Sequence, residues 1–449
     1  MNPKVTIIGA GLVGSLWAVL LRKRGLDVTL FEKRPDPRLA KNEVGRSINL
    51  VITSRGMHAL EQAGLLQKAL ELAVPVYGRM IHTKTSELMY QPYGQEGERN
   101  LSISRAGLNQ FLIDEAEHSG AKVHFNCSLE NIDFKSKTVA FAGGEKHSYE
   151  LLFGTDGAGS LVRKHLAKAF PETVQEKTEW LPADYKELFL PAPNSLDKKA
   201  LHIWPRGSHM MMALANLDGS FTMTMYLPKS HRPISFENIK SPTDVEEMFK
   251  NEFPDAIKLM PNYLSDFANN PQGALGTVRC TKWVHENSVV LMGDAAHAIV
   301  PFFGQGMNSG FEDCTNLLSL LDNKKQNWPE ALSAYDQTQR PNANAIADMA
   351  IENWYEMSEK VGDPQFLLRK KVESVLEKNF PKLFKSRYGM VTYTLIPYSV
   401  VQQAGQLQDQ ILAELMMGLK SPEDLSLEKA GTLLQNTYKP FLQQHGLLS

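Results

Sequence analysis

Short runs of apolar and β-branched residues bounded by glycine recur along the chain, and the first of them changes abruptly from strand-like to helix-like texture. Val5-Thr6-Ile7-Ile8 runs into Gly9-Ala10-Gly11-Leu12-Val13-Gly14, and residues 15–21 continue with helix-compatible side chains. Gly9 permits a tight turn, Gly11 lets a pyrophosphate approach the backbone, and Gly14 lets helix and strand pack closely, with phosphates at the positive helix N-terminus. Val28-Thr29-Leu30-Phe31 is a second buried-strand run, and it ends in Glu32, a carboxylate suited to accept hydrogen bonds from ribose hydroxyls. Strand, turn, helix, strand and carboxylate in this register predict a dinucleotide site.

Downstream, proline forces Lys33-Arg34-Pro35-Asp36-Pro37 out of regular structure. Residues 54–70 predict a helix, 77–83 and 88–91 strands, Pro92-Tyr93-Gly94 a turn, 108–118 a helix and 122–126 a third parallel strand. Residues 138–141 and 150–153 read as strands, the latter closing on Gly154-Thr155-Asp156-Gly157. Between about 180 and 275 the texture changes, because apolar runs alternate with turns instead of helices. There 187–190, 200–204, 210–215 and 221–227 predict an inserted antiparallel sheet, with a helix over 242–252. Residues 288–292 return to the buried-strand pattern and close on Gly293-Asp294; 307–321 predict a helix, and nearly everything from Trp328 onward is helical. The expected fold is therefore α/β. A Rossmann-like cofactor domain covers 1–179 and 276–340, a mainly antiparallel-sheet substrate domain covers 180–275, and a helical C-terminal region covers 341–449.

The 449 residues, 43% hydrophobic and 22% charged, supply apolar material for more than one core. Lys plus Arg at 48 against Asp plus Glu at 50 leaves a net charge of -2, which removes the electrostatic case for nucleic acid. Arg22-Lys23-Arg24 and Arg369-Lys370-Lys371 read as solvated helix faces. Cys127, Cys280 and Cys314 have neither C-x-x-C nor zinc-ligand spacing, which argues against a disulfide scaffold, a dithiol reductase or a metal centre. The first strand begins almost at Met1, and no apolar run approaches the roughly 20 residues that span a bilayer. The expectation is a cytoplasmic protein without signal peptide or membrane anchor.

Three stretches thus combine a strand, glycine and a carboxylate: the opening turn with Glu32, Gly154-Thr155-Asp156-Gly157, and Gly293-Asp294. Here the sequence resembles the flavoprotein aromatic hydroxylases of the p-hydroxybenzoate hydroxylase type, which carry these motifs in this order. The resemblance implies FAD in the opening turn, Glu32 on the adenosine ribose, Asp294 on the ribityl chain, and Asp156 supporting both flavin and nicotinamide. It adds Val13, Phe31, Lys33, Arg34, Val51 and Leu129 as cofactor-binding positions. Free backbone N–H groups of the loop carrying Gly304, Gly306, Met307 and Asn308 would suit the flavin pyrimidine edge, where negative charge accumulates on reduction. Arg105 would add a cation near the flavin or its phosphates. Only one turn of the opening kind is present, so NADPH is expected as a transient co-substrate. His297 reads as a buried structural histidine, and no side chain is assigned as an acid or base.

Within that class, Gly45-Arg46-Ser47-Ile48-Asn49-Leu50, Gly78-Arg79-Met80-Ile81-His82, Gln91-Pro92-Tyr93-Gly94, Leu201-His202-Ile203-Trp204-Pro205, the 300–308 loop, Glu352-Asn353 and Tyr388-Gly389-Met390-Val391-Thr392 resemble the kynurenine 3-monooxygenase family. By that resemblance Arg79, Tyr93, Asn353 and Tyr388 would hold the amino-acid end of L-kynurenine. Their chemistry suits the task, since arginine grips a carboxylate with two charge-assisted bonds and the others donate hydrogen bonds. The implied reaction is hydroxylation to 3-hydroxy-L-kynurenine with NADPH and O2 through a flavin C4a-hydroperoxide, shielded by Phe302, Phe303 and the Ile203-Trp204 strand. Residues 399–449 lack the apolar anchor of the membrane-bound members. Two other readings stay open: a hydroxylase of the same class acting on another aromatic compound such as a phenol, and a non-catalytic protein that keeps the FAD fold.

Overall fold

In a computed structural model that describes residues 3–39, 49–360 and 363–448, the buried runs of the sequence meet in a six-stranded sheet. Its order is Val284–His285, Val289–Leu291, Leu151–Gly154, Val5–Ile8, Val28–Phe31 and Lys122–His124. Each neighbouring pair is parallel except the edge hairpin of the first two strands. Parallel strands point one way, so the segments after Ile8, Phe31, Gly154 and Leu291 all leave from a single edge of the sheet. Helix Leu12–Lys23 lies on this sheet with Leu16, Trp17 and Ala18 fully buried, and the Trp17 ring meets Phe153 edge-on at 5.4 Å. The Gly45-Arg46-Ser47-Ile48 stretch lies outside the described residues.

A second, seven-stranded sheet runs Gln272–Cys280, Glu176–Leu190, Phe221–Pro228, Met210–Ala215, Ala200–Pro205, Gly78–His82 and Leu88–Pro92. It is antiparallel except where Ala200–Pro205 pairs parallel with Gly78–His82. The sheet is therefore not confined to residues 180–275, because a hairpin far earlier in the chain supplies its last two strands. The strand expected over 187–190 is the end of a 15-residue strand. Pro182 interrupts the hydrophobic reading there, and the ladder accommodates it with a register shift between Trp180 and Asp184. The helix expected over 54–70 is two helices, Ser54–Gln62 and Leu66–Glu71, separated where Gly64 takes a left-handed φ of 69°.

The rest of the chain is largely helical, led by Gly306–Asn323, the 28-residue Trp328–Tyr355 and Tyr398–Leu415. Helix Gly306–Asn323 and the start of Trp328–Tyr355 pack on the six-stranded sheet, through Phe311, Cys314, Leu317 and Leu332, while the end of Trp328–Tyr355 and Tyr398–Leu415 share a core with one face of the large sheet, through Ile81, Ile203 and Met210. Helix Pro242–Glu252 covers the other face, where Trp204, Met211 and Phe249 pack. No helix among the described residues is long and apolar enough to cross a membrane.

Polar groups are buried beneath that covering helix. His82 Nδ1 meets Asp255 Oδ2 at 2.6 Å, its Nε2 meets His202 Nδ1 at 2.8 Å, and its ring stacks on Trp204 at 3.9 Å. His209 lies nearby, 3.8 Å from Glu252. Burial pushes His202 and His209 each down to about 4, from an ordinary value of 6.5. Between those values the unfolded chain binds protons that the folded chain refuses, so this stability is complete above 6.5 and lost as pH falls toward 4. Denaturant midpoints are expected to drop across that window, and His209→Gln to lower the slope of stability against pH by up to about one proton's worth.

Candidate active site

A cavity of about 770 Å³ lies along the carboxyl edge of the six-stranded sheet and reaches the inner face of the seven-stranded one. Every residue expected to bind cofactor or substrate lines it except Gly14, Asn308 and Asn353.

At one end stands the opening turn. Gly9 has a φ of 103°, and a Cβ there would lie 2.6 Å from the Thr155 carbonyl oxygen; a Cβ on Gly14 would lie 2.1 Å from the Gly9 carbonyl oxygen. Both glycines are thus required by the packing of the chain itself. Gly11 differs, because a Cβ there would meet nothing within 4 Å, and the residue forms cavity wall. Gly11 also begins the helix without any side-chain cap, so no side chain competes for its first amides, which suits that helix start to an anion. Glu32, 5% exposed, accepts from Ala10 N at 3.0 Å, Arg34 N at 3.0 Å and Arg34 Nε at 2.8 Å. Burial opposes its charge, but Arg34 and the two amides outweigh burial and hold the carboxyl below its usual range.

The other two motifs meet this end from neighbouring strands. Asp156 lines the cavity but spends its carboxylate on helix Leu161–Ala169, accepting from Ser160 Oγ at 2.5 Å, Leu161 N at 2.6 Å and Val162 N at 3.2 Å. Burial nevertheless raises its pKa. Asp294 opens the short helix Asp294–His297 on the cavity wall. Behind it, Asp313 Oδ2 accepts from Gly293 N and pairs with His297 Nε2, both at 2.7 Å, while Trp283 stacks on the imidazole at 4.8 Å. Burial works against a charged His297, yet Asp313 prevails and raises its pKa. The histidine is therefore a buried, hydrogen-bonded partner of Asp313. Arg163 joins the two turns, donating to Ala158 O and Ala295 O at 2.7 Å each. Nothing in the local sequence pattern singled it out.

In the 300–308 loop, Gly304, Gly306 and Met307 line the cavity. Asn308 stands behind them as a fastener: Nδ2 donates to Val51 O at 2.7 Å and Gly304 O at 2.8 Å, and Oδ1 accepts from Thr53 N at 2.9 Å.

The far end is aromatic around one cation. The Arg79 guanidinium lies 5.5 Å from the Tyr93 ring centre and 5.2 Å from that of Tyr388, and its Nε donates to the Tyr93 hydroxyl at 3.3 Å. The two tyrosine rings stack at 5.5 Å. Burial disfavours the Arg79 charge, but the phenolic oxygens overcome it and raise its pKa, so the cation is permanent. Burial, reinforced by Tyr388, also raises Tyr93, which stays a neutral donor. Asn353 does not reach the cavity; its Nδ2 donates to Phe302 O at 2.6 Å and so braces the wall.

Phe302 and Phe303 line the cavity as expected, but Ile203 and Trp204 do not. Side chains alternate along a strand, so Leu201 and Ile203 face one side of the sheet and Trp204 the other, where its Nε1 donates to Asp255 Oδ2 at 2.9 Å. The wall comes instead from Met212 and Leu214 on one strand and Thr222, Thr224 and Tyr226 on the next. Their period-two spacing was readable in the sequence. Asn100, Met357 and Tyr185 also line the cavity and gave no such signal.

A family model described as an FAD binding domain matches residues 2–350. The kynurenine 3-monooxygenase of Myxococcus xanthus is 44% identical over 452 residues, covering 98% of this chain and 97% of the relative. That of Cytophaga hutchinsonii is 42% identical, covering 93% and 94%. The chain belongs to the kynurenine 3-monooxygenase family.

Its fold is shared with more distant proteins of known structure. The tetrameric form of 2-methyl-3-hydroxypyridine-5-carboxylic acid oxygenase aligns with a TM-score of 0.65 at 18% identity, over 82% of this chain and 95% of that one. Tetracycline destructase Tet(55) aligns at 0.64 and 16% identity, over 84% and 96%. FAD is thus the cofactor of this kynurenine 3-monooxygenase family member. The residues fit it: an uncapped helix start beside an open Gly11, and a buried carboxylate at the end of the next strand.

The glycines separate fold from cofactor. Gly11→Ala is expected to leave the melting temperature of the apoprotein unchanged while weakening FAD about tenfold or more, read by flavin fluorescence on titration. Gly14→Ala is expected to lower the melting temperature of the apoprotein itself, since its Cβ overlaps the Gly9 carbonyl.

Proposed function

We propose that this protein hydroxylates L-kynurenine at ring position 3, with NADPH and O2 as co-substrates. The observation that carries this reading is a permanent Arg79 cation flanked by two tyrosines at one end of a cavity whose other end is an FAD site. We assign the substrate carboxylate to Arg79, with Tyr93 and Tyr388 as hydrogen-bond donors. The distance between that anchor and the flavin loop would then fix which ring carbon faces the cofactor. Phe302, Phe303, Tyr226, Leu214 and Met357 supply an apolar wall that keeps water from the reacting ring.

On the cofactor side we assign the phosphates to the amides after Gly11, the adenosine ribose to Glu32 and the ribityl chain to Asp294. Bound FAD supplies the redox chemistry, accepting reducing equivalents from NADPH and activating O2. The substrate's own amino group makes the adjacent ring carbon electron-rich, so the protein's task is orientation and water exclusion. The chain offers one strand–glycine–helix turn of the dinucleotide type, and that turn serves FAD, so NADPH docks transiently. The free thiols of Cys127, Cys280 and Cys314 fit a reducing cytoplasm.

The test is NADPH oxidation by the purified holoenzyme with and without L-kynurenine, with identification of the product. L-kynurenine is expected to accelerate flavin reduction and emerge as 3-hydroxy-L-kynurenine; absence of both effects sinks the assignment. Arg79→Ala is expected to weaken L-kynurenine tenfold to a hundredfold, the effect of losing hydrogen bonds to a charged group, with FAD content unchanged.

A further inference from the structure

The two phenolic hydroxyls of the Arg79 cluster have one acceptor between them among the described residues, the Tyr388 oxygen that faces Tyr93, although both oxygens are engaged. Tyr93 Oη accepts from Arg79 Nε at 3.3 Å, and Tyr388 Oη accepts from Asn100 Nδ2 at 3.0 Å. Arginine donates and never accepts, and an amide nitrogen likewise only donates. The two hydroxyls lie close enough for Tyr388 to raise the Tyr93 pKa, so one hydroxyl hydrogen can be spent between them. The second is then left over and must point at a ligand. A cluster closed at both ends by pure donors exports a hydrogen-bond donor, and the partner that satisfies it beside a guanidinium is an anionic oxygen.

Asn100 is the end of this chain that no motif marks. It lies on strand Asn100–Ser104, the middle strand of a three-stranded sheet with Asn49–Ile52 and Ala73–Val76, opposite Val76, 5% exposed and on the cavity wall. Its Oδ1 is buried with no partner, so the contact with Tyr388 is the hydrogen bond that orients the amide.

We propose that Asn100 is a positioning residue that sets carboxylate selectivity: by donating to Tyr388 Oη, it holds the Tyr388 hydroxyl as a donor toward the substrate. The proposal rests on the assignment of the substrate carboxylate to Arg79, Tyr93 and Tyr388. Without the amide, Tyr388 can turn its hydrogen away, and a carboxylate loses a donor while a ligand lacking the carboxylate loses nothing. An acid at position 100 goes further, because its ionised form accepts the hydrogen of Tyr388 and adds a negative charge facing the substrate's own.

The experiment titrates anaerobic holoenzyme, without NADPH, with L-kynurenine and with its decarboxylated amine analogue, following the flavin absorbance. In Asn100→Leu the Kd for L-kynurenine is expected to rise about tenfold and that for the amine analogue less than about twofold. In a Tyr388→Phe background the same substitution is expected to add less than about twofold, since the group it acts through is gone. Asn100→Asp, which keeps the shape of the side chain, is expected to lose L-kynurenine at least as strongly and serves in place of Leu if that variant does not fold. Equal losses for both ligands, additive losses in the double variant, or unchanged L-kynurenine affinity would each overturn the role of Asn100. Wild-type protein that binds L-kynurenine while the double variant behaves additively leaves the substrate assignment standing; wild-type protein that binds neither ligand removes both.

Discussion

A guanidinium with 1% exposure must be matched by partners on every side, and Arg55 imposes that requirement on three separate parts of the chain. Its Nε donates to Glu312 at 2.7 Å, its Nη1 to Val391 O at 2.7 Å and Thr394 O at 3.0 Å, its Nη2 to Ile396 O, and the Tyr398 ring lies 3.7 Å below it. The helix after strand Asn49–Ile52, the helix that opens at Gly306 and the segment just after Tyr388 are thereby fixed to one cation. A loose surface pair would contribute little, whereas removing one side of a buried pair costs about 3–5 kcal/mol because the other charge is stranded. The 300–308 loop and Tyr388 are consequently held in one frame. A reaction that depends on the placement of a ring carbon against the cofactor needs that rigidity.

The two sheets divide the chemistry according to their geometry. In the parallel sheet the strand ends converge on one edge, which brings Gly9, Glu32, Asp156 and Asp294 together from positions spread over almost 300 residues. In the mostly antiparallel sheet one face alternates toward the cavity, giving Thr222, Thr224 and Tyr226 as a continuous wall. The hairpin bearing Arg79 and Tyr93 joins that sheet at its end, so the cation sits at the rim of the wall. At that rim Tyr388 accepts a hydrogen bond from Asn100, which stands on a smaller, three-stranded sheet.

The opening turn and its Glu32 were legible because their constraints are local: the Cβ clashes at Gly9 and Gly14 involve the turn itself and the strand beside it. The strands between 200 and 227 were legible for the same reason, since period-two alternation needs no partner to be seen. Trp204 was assigned to the wrong face because a run of apolar residues on both sides of a strand does not say which side holds the cavity. Asp156, Asn308 and Asn353 fall at motif positions, yet their side chains cap a helix, fasten a loop and brace a wall.

The sequence by itself determined the cofactor turn and the α/β order of elements, and its resemblance pointed to Arg79, Tyr93 and Tyr388, which the structure brings together. Each of these is written in neighbouring residues or in a motif of several residues. Only the tertiary structure decided that Gly78–His82 completes the large sheet, that Arg163 ties the Ala158 and Ala295 turns together, and that Asn100 donates to Tyr388. Those facts join residues up to 288 positions apart. A hydrogen bond depends on where two atoms lie and which of them carries the proton, and neither leaves a periodic trace along the chain.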